Sequence, residues 1–372
     1  MRIVADADIP FINEFFASAG DLILKPGRQM KPADVKDADL LIVRSITPVN
    51  EALLKNSRVQ FVGSVTAGLD HLDLNWLAKN NITVRSAAGF NAPPVADYVV
   101  SIIAALERKG LFLRKHKRAA IVGVGYVGRL VAERLRLLGV DVLLCDPLRA
   151  ENEADFNSIP LTELADLDLI SLHVPLTHDG AHPTYHMINE DFLQRQKTGC
   201  ILVNASRGAV MDTEAFMRAG AHLHACFDVW EHEPHIDKEV LQTVFIATPH
   251  IAGYSVQSKL RGVEMIFTAA CELGLITKAT SSPVVMPMQT LQFAGLKHHW
   301  QDVVLGIFNP LIMTAMMREK LLPAADTSDL FDHLRRDFTY RHEFAYTEIK
   351  GLDLPETDRV LLEKMGMRFS EV

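Results

Sequence analysis

An arginine, a glutamate and a histidine stand in three short segments of this chain: Arg207 in NASRG (204–208), Glu233 in DVWEHEP (228–234) and His250 in TPHIAGY (248–254). Each follows a short apolar run. A histidine ordinarily titrates near neutrality and suits removal of a hydroxyl proton. A carboxylate beside it orients the ring and favours imidazolium. An arginine can hold a substrate carboxylate through two hydrogen bonds and polarise the neighbouring oxygen. Together these types fit oxidation of a secondary alcohol next to a carboxylate, given a hydride acceptor beside them. Glu231, two residues before Glu233, competes for the carboxylate role. With 15 histidines in the chain, no single one is marked out by residue type alone.

The acceptor's site is written in AAIVGVGYVGRLVAERL, where Gly123, Gly125 and Gly128 fall in G-x-G-x-x-G spacing around Tyr126 and Val127. That spacing alone is weak. Here an apolar strand precedes it, and an amphipathic helix carrying Leu130, Val131, Leu135 and Leu138 follows. A second strand then ends at Asp146, 18 residues after Gly128. This is the arrangement that lays a dinucleotide pyrophosphate on a helix N-terminus. Asp146 would accept hydrogen bonds from both ribose hydroxyls and repel a 2′-phosphate, favouring NAD over NADP; the alternative is a turn residue before Pro147.

Placing these groups together requires a parallel sheet, because ligands bind beyond the carboxyl ends of its strands. The first ninety residues alternate between predicted strands (2–5, 22–25, 40–44, 59–65, 82–85) and helical stretches (10–18, 50–55, 74–79), with a long apolar helix expected over 93–109. A second alternating block has predicted strands at 119–123, 142–145, 169–174, 200–205, 224–229 and 244–247, followed by a helix over 255–275. These near-continuous apolar runs read as strands buried on both faces. The ends of the second block carry Pro175, Ser206, Arg207, Asp228 and His250, so the arginine, glutamate and histidine converge on the rim that holds the glycine loop. Residues 277–287 read as a linker, followed by a helix over 297–320 and charged, mixed segments.

The expected fold is therefore α/β: two Rossmann-like or flavodoxin-like doubly wound parallel-sheet lobes plus a small C-terminal α+β domain. Residues 1–92 with 255–280 form a substrate-binding lobe, 93–254 an NAD-binding Rossmann domain and 281–372 a dimerisation domain. Closure of the two lobes over a cleft would exclude water from the reaction. The 372 residues, 48% hydrophobic and 23% charged, suit such a globular chain. A net charge of −8 argues against a nucleic-acid partner. No apolar run approaches the ~20 residues of a membrane span, and no leader is read, so a cytoplasmic homodimer acting on a small molecule is expected. Cys145, Cys200, Cys226 and Cys271 are too far apart for a metal knuckle and read as small buried hydrophobes in a reducing compartment. No metal is expected. His173, His178, His182 and His186 read as loop or surface residues.

The glycine loop and the three catalytic segments resemble the D-2-hydroxyacid dehydrogenase family, over residues 1 to about 280. The resemblance implies that Glu233 is the catalytic carboxylate and Glu231 a bystander. It implies that Asp228 meets the nicotinamide carboxamide, with Pro175, Ala205, Ser206 and Gly253 also along the cofactor.

Within that family, VRSIT (43–47), SVTAGLDHLD (64–73), HIAGYSVQSKLRG (250–262) and the C-terminal extension resemble the members that act on a phosphorylated four-carbon 2-hydroxyacid, and the resemblance implies its oxidation on the route to pyridoxal 5′-phosphate. The resemblance suggests Ser45, Thr66 and Tyr254 as substrate contacts; Ser45 and Thr66 also follow apolar strands. Arg44 could offer its guanidinium to the phosphate, or pair with an acid such as Asp70. Arg335 and Arg336 are further candidates, reaching a partner subunit's cleft, although plain surface positions are the favoured reading for both. The alternatives are a relative acting on 3-phosphoglycerate, glycerate or glyoxylate and, from another class, an NADH-sensing corepressor-like binding protein.

Overall fold

Short runs such as LLIV (40–43) and ILVN (201–204) are buried at every position, as strands covered by helices on both faces must be. The computed structural model describes residues 1–277, 285–293 and 297–370. It divides into two units, Met1–Asn91 with Ser255–Pro287 and Ala92–Tyr254 with Met288–Val372.

In the first unit β1 (Arg2–Asp6), β2 (Asp21–Lys25), β3 (Leu40–Val43), β4 (Phe61–Ser64) and β5 (Thr83–Ser86) form a parallel sheet in the order β2-β1-β3-β4-β5. Two apolar cores lie against it, one including Ile3, Phe61 and Ile266, the other Val4, Leu41 and Val62. The returning helix Val256–Glu272 starts at a capping box of Ser255 and Ser258. It comes so near β4 that a Cβ on Gly63 would sit 2.4 Å from Ile266 Cγ2.

The second unit holds β6 (Arg118–Val122), β7 (Asp141–Cys145), β8 (Leu169–Leu172), β9 (Ile201–Asn204), β10 (His224–Phe227) and β11 (Ile246–Ala247), parallel in the order β11-β10-β9-β8-β6-β7. The order reverses at β6, which places the ligand crevice between the carboxyl ends of β6 and β8. The helix Ala92–Arg108 is apolar on almost every face and correspondingly buried.

Two expectations for the C-terminal stretch are corrected. The helix expected over 297–320 is two helices, Trp300–Ile307 and Pro310–Leu321. Asn309 caps the second, accepting from the Leu311 N–H at 3.1 Å, and Pro310 cannot continue the first because it has no N–H to donate. Residues 288–372 also group with 92–254 instead of forming a separate body. The cause is packing: Trp300, Val303 and Val304 are buried, and their helix lies along Ala92–Arg108. A small parallel sheet of β12 (Gln289–Gln292), β13 (Thr347–Lys350) and β14 (Arg368–Ser370) completes the unit. Of the linker expected over 277–287, residues 278–284 lie outside the described residues. So does the 278–280 end of the expected substrate lobe.

Candidate active site

The glycine loop joins β6 to the helix Tyr126–Leu137. Gly123 has φ +85°, and a Cβ there would lie 2.6 Å from the His173 carbonyl oxygen at the end of β8. A Cβ on Gly128 would come within 1.9 Å of the Gly123 oxygen, so this glycine allows the helix to start directly on the strand. Around Gly125, which caps the helix, a Cβ would meet nothing within 4 Å. That open approach to a row of unbonded N–H groups is what a pyrophosphate needs, so the cradle fits a dinucleotide.

Asp146 has the turn role that was one of its two readings. It caps the helix Pro147–Asn152, accepting from the Arg149 N–H at 3.1 Å, and it braces the glycine loop by accepting from the Val124 N–H at 2.8 Å.

The three segments that carry Arg207, Glu233 and His250 are stitched to one another. Asn204, at the end of β9, holds the arginine loop: its Oδ1 accepts from the Ser206 N–H at 3.2 Å and hydroxyl at 2.9 Å, and its Nδ2 donates to the Arg207 oxygen at 3.0 Å. Arg207 Nη1 donates to the Ser206 oxygen at 2.9 Å. The next residue, Gly208, backs onto the glutamate loop, since a Cβ there would lie 2.0 Å from the Trp230 carbonyl carbon. Trp230 donates its backbone N–H to Glu233 Oε2 at 3.2 Å and its indole N–H to the Thr248 oxygen at 3.0 Å, tying that loop to the histidine turn.

Asp228 is the centre of the turn. It is 1% exposed, and its carboxylate accepts from the Thr248 hydroxyl (2.6 Å), the Ile251 N–H (2.8 Å) and the Ala252 N–H (2.9 Å). The sequence reading expected only a nicotinamide contact here; the structure adds this bracing role. His250 donates its N–H to the Asp228 oxygen at 2.7 Å and sits at φ +56°, in the left-handed region that costs a side-chain-bearing residue energy. The surrounding bonds hold it there.

Out of this frame His250 Nδ1 meets Glu233 Oε1 at 2.5 Å. Burial pushes the Glu233 carboxyl up, but the charge and hydrogen bond of His250, the Arg335 charge and the Trp230 N–H outweigh it, holding the group below the usual carboxylate range. Glu231 is engaged elsewhere, on His186 Nε2 at 2.5 Å and the Thr213 N–H at 3.1 Å. Its environment is that of a structural anchor.

Two C-terminal arginines meet this region. Arg341, 7% exposed, donates to the oxygens of Pro94 and Ala252, both at 2.7 Å, and of Ile251 at 3.4 Å, with its guanidinium over Phe308. It clamps the backbone just after His250, and no sequence signal singled it out. Arg335 Nη2 donates to the Tyr254 hydroxyl at 3.4 Å, and Tyr340 packs edge-on against the Tyr254 ring. Both contacts lie within one chain, and Arg335, with its side chain 21% exposed, is not the open surface residue that the sequence reading favoured. Arg336 is an exposed residue 4.0 Å from Asp337.

In the first unit, Arg44 is committed to carboxylates. Its Nε donates to Asp6 at 2.6 Å, and its Nη2 to Asp6 at 3.0 Å and Asp8 at 2.7 Å. Two anions on one guanidinium leave a net negative cluster, so Arg44 is a poor phosphate ligand; it follows the alternative of pairing with nearby acids, which are Asp6 and Asp8 in place of Asp70. Ser45 is exposed on the turn after β3. The Thr66 hydroxyl lies 2.7 Å from Ser64 Oγ and donates to the Gly68 oxygen at 3.0 Å.

Among the remaining predicted cofactor residues, Pro175 and Tyr126 are exposed at strand and helix ends, while Ser206 is buried. His173 is not the surface residue expected. Its Nε2 lies 2.8 Å from Ser171 Oγ, and burial pushes its imidazole down to about 3. No disulfide joins the four cysteines, and Cys145, Cys200 and Cys226 are buried; burial pushes Cys145 up to about 11 and Cys200 up to about 12. Among the described residues no helix is long and apolar enough to cross a membrane.

Residues 106–252 match the model of the D-isomer specific 2-hydroxyacid dehydrogenase NAD-binding domain. The chain is 42% identical over 366 residues to an erythronate-4-phosphate dehydrogenase of Coxiella burnetii, covering 98% of each chain. It is 47% identical over 355 residues to the enzyme of that name from Azotobacter vinelandii, covering 92% of this chain and 93% of that one. Among solved structures, the NAD+-bound 3-phosphoglycerate dehydrogenase of Entamoeba histolytica has the same fold, with a TM-score of 0.63 at 24% identity over 77% of this chain and 99% of that one. With a dinucleotide cradle, a histidine–carboxylate pair on the same sheet rim and relatives matching along nearly its whole length, the chain belongs to the erythronate-4-phosphate dehydrogenase family of NAD-dependent D-isomer-specific 2-hydroxyacid dehydrogenases.

Proposed function

We propose that this chain oxidises 4-phospho-D-erythronate to (3R)-3-hydroxy-2-oxo-4-phosphooxybutanoate with NAD, on the route to pyridoxal 5′-phosphate. The Glu233–His250 pair carries this reading, at the strand ends of the sheet that holds the glycine loop. The full-length likeness to relatives named for that substrate supports it.

Because Glu233 takes Nδ1 of His250, Nε2 is the nitrogen for the C2 hydroxyl. It accepts the hydroxyl proton while the C2 hydride departs and the C2–O bond becomes a ketone. Glu233 fixes the ring and stabilises the imidazolium so formed. Arg207 holds the C1 carboxylate in bidentate fashion and draws electron density from the adjacent oxygen. Bound NAD supplies the hydride acceptor. Gly123, Gly125, Tyr126, Val127 and Gly128 would hold its pyrophosphate and Asp146 its adenosine ribose. Pro175, Ala205, Ser206, Asp228 and Gly253 would line its nicotinamide half. Ser45, Thr66 and Tyr254 contact the substrate in this reading. A cytoplasmic homodimer, paired through residues 281–372, completes it.

The test is NADH formation by the purified protein with 4-phospho-D-erythronate, 3-phosphoglycerate and glycerate side by side, with a ketone trap to draw the reaction forward. Strong preference for the four-carbon phosphate supports the reading. Equal or better turnover of the three-carbon acids reassigns the substrate and leaves the catalytic pair in place.

A further inference from the structure

Four arginines of the second unit are candidates to meet an anion at the rim that carries His250, and three are accounted for. Arg207 is the carboxylate ligand of the proposed reaction. Arg341 spends its donors on backbone oxygens. Arg336 is 64% exposed, with Asp337 at 4.0 Å. The fourth, Arg335, is held differently.

Its side chain is 21% exposed, at the end of the helix Ser328–Arg336. One Nη2 contact, with the Tyr254 hydroxyl at 3.4 Å, is long, and Asp332 lies 3.7 Å from Nη1. Its Nε is buried and finds no hydrogen-bond partner. A guanidinium has five N–H donors in a planar fork that suits carboxylate and phosphate oxygens. Here most of that fork is left over, at the position where Arg335 also bears on Glu233. Tyr254, the residue it touches, lies four positions beyond His250. A half-buried cation with spare donors that acts on Glu233 is prepared for an anion that arrives with the substrate.

We propose that Arg335 binds the terminal phosphate of the substrate, making it a specificity-determining residue that the C-terminal segment supplies to the site of its own chain. This rests on the proposed four-carbon phosphate substrate, in which the phosphate ester sits two carbons from the reacting C2. It gives the C-terminal segment a part in recognition besides any role in subunit pairing. An acid without the phosphate would leave the Arg335 Nε buried and unsatisfied, and sites built this way discriminate strongly against the ligand that lacks the group. Arg44 cannot substitute, since Asp6 and Asp8 already occupy it.

The experiment compares full-length wild type, Arg335→Met and Arg335→Lys, measuring kcat/KM for 4-phospho-D-erythronate and for unphosphorylated D-erythronate. NADH binding by fluorescence reports whether each variant is folded. The expected result is that Arg335→Met lowers the ratio of the two kcat/KM values by about 100-fold or more, mostly through KM, with partial recovery in Arg335→Lys. Inorganic phosphate should compete with the phosphorylated substrate in wild type and compete more weakly in Arg335→Lys, a readout that stands even where Arg335→Met fails to fold. An unchanged ratio, or equal losses on both substrates, overturns the proposal and makes Arg335 a support for Tyr254 and Glu233. Failure of the substrate reading would show separately, as a wild-type enzyme with no preference for the phosphorylated acid.

Discussion

Glu233 Oε1 lies 2.5 Å from His250 Nδ1, although the two residues come from different loops and His250 must adopt a left-handed backbone to present its ring. In the proposed reaction this contact leaves Nε2 as the imidazole nitrogen that faces the substrate. It is held in place by Asp228, Trp230 and Thr248, none of which need touch the reacting atoms.

Replacing either member of this pair should therefore slow chemistry and spare binding. His250→Ala is expected to lower kcat by about 100- to 10,000-fold with NADH affinity retained. Glu233→Gln keeps the shape but loses the charge that selects the tautomer, and should fall in the same range. Steady-state kinetics with fluorescence titration of NADH checks both. A loss of cofactor affinity in His250→Ala would give the histidine a different role.

The glycine loop offers a paired test. Gly128→Ala drives a methyl to 1.9 Å from the Gly123 oxygen and should cost about 3 kcal/mol or more, seen as a Tm lowered by several degrees in calorimetry. Gly125→Ala meets nothing within 4 Å in the protein. It should leave Tm nearly unchanged while weakening NADH binding about tenfold or more, because the methyl occupies the approach of the pyrophosphate. Equal effects of the two on Tm would contradict these assignments.

Asp97 gives the stability a pH dependence. It is 2% exposed, accepts from the Phe344 N–H at 2.9 Å and has Arg134 at 3.6 Å, with Arg341 and Glu343 also acting on it. Burial dominates and pushes its carboxyl from 3.8 up to about 7. Between these two values the folded chain keeps a proton that the unfolded chain releases. The contribution is therefore full below the unfolded value and is lost as pH rises towards the folded one. The slope from this group is up to about 1.4 kcal/mol per pH unit, flat at higher pH. Asp97→Asn should flatten the decline in Tm between pH 5 and pH 7; an unchanged profile would show that Asp97 is ionised throughout.

Arg341→Met should be costly both to stability and to turnover. It removes the donors to Pro94, Ile251 and Ala252, leaving buried carbonyls unsatisfied at about 1–3 kcal/mol each. It also loosens the turn that follows His250. A lowered Tm together with a kcat reduced at unchanged NADH affinity is expected, from calorimetry and kinetics on the same preparation. A normal kcat in a destabilised protein would confine Arg341 to a folding role.

The strands of both sheets were legible because strands buried on both faces can hardly be anything but continuous apolar runs. The glycine loop was legible because Gly123 and Gly128 answer to close approaches within the protein and Gly125 keeps the helix N-terminus open. The choice between Glu231 and Glu233 was not legible from residue types, since both stand in one loop; capture of Glu231 by His186, 45 positions away, separates them. The break before Pro310 carried a readable signal, an Asn–Pro pair suited to a cap and first turn, which the apolar content of 297–320 hid. Arg335 was recognisable as a phosphate candidate, but its return to the same chain depends on how Trp300 and its neighbours pack on Ala92–Arg108. Arg341 left no trace because its partners are backbone oxygens, one of them 89 positions away.

The most direct test uses 4-phospho-D-erythronate carrying deuterium at C2. If His250 takes the hydroxyl proton while hydride leaves C2, mass spectrometry will find the deuterium in NADH in one-to-one yield with the ketone, and His250→Ala will lose both together. Deuterium released to water, or NADH formed without the label, would contradict hydride transfer from C2 and with it the role given to the Glu233–His250 pair.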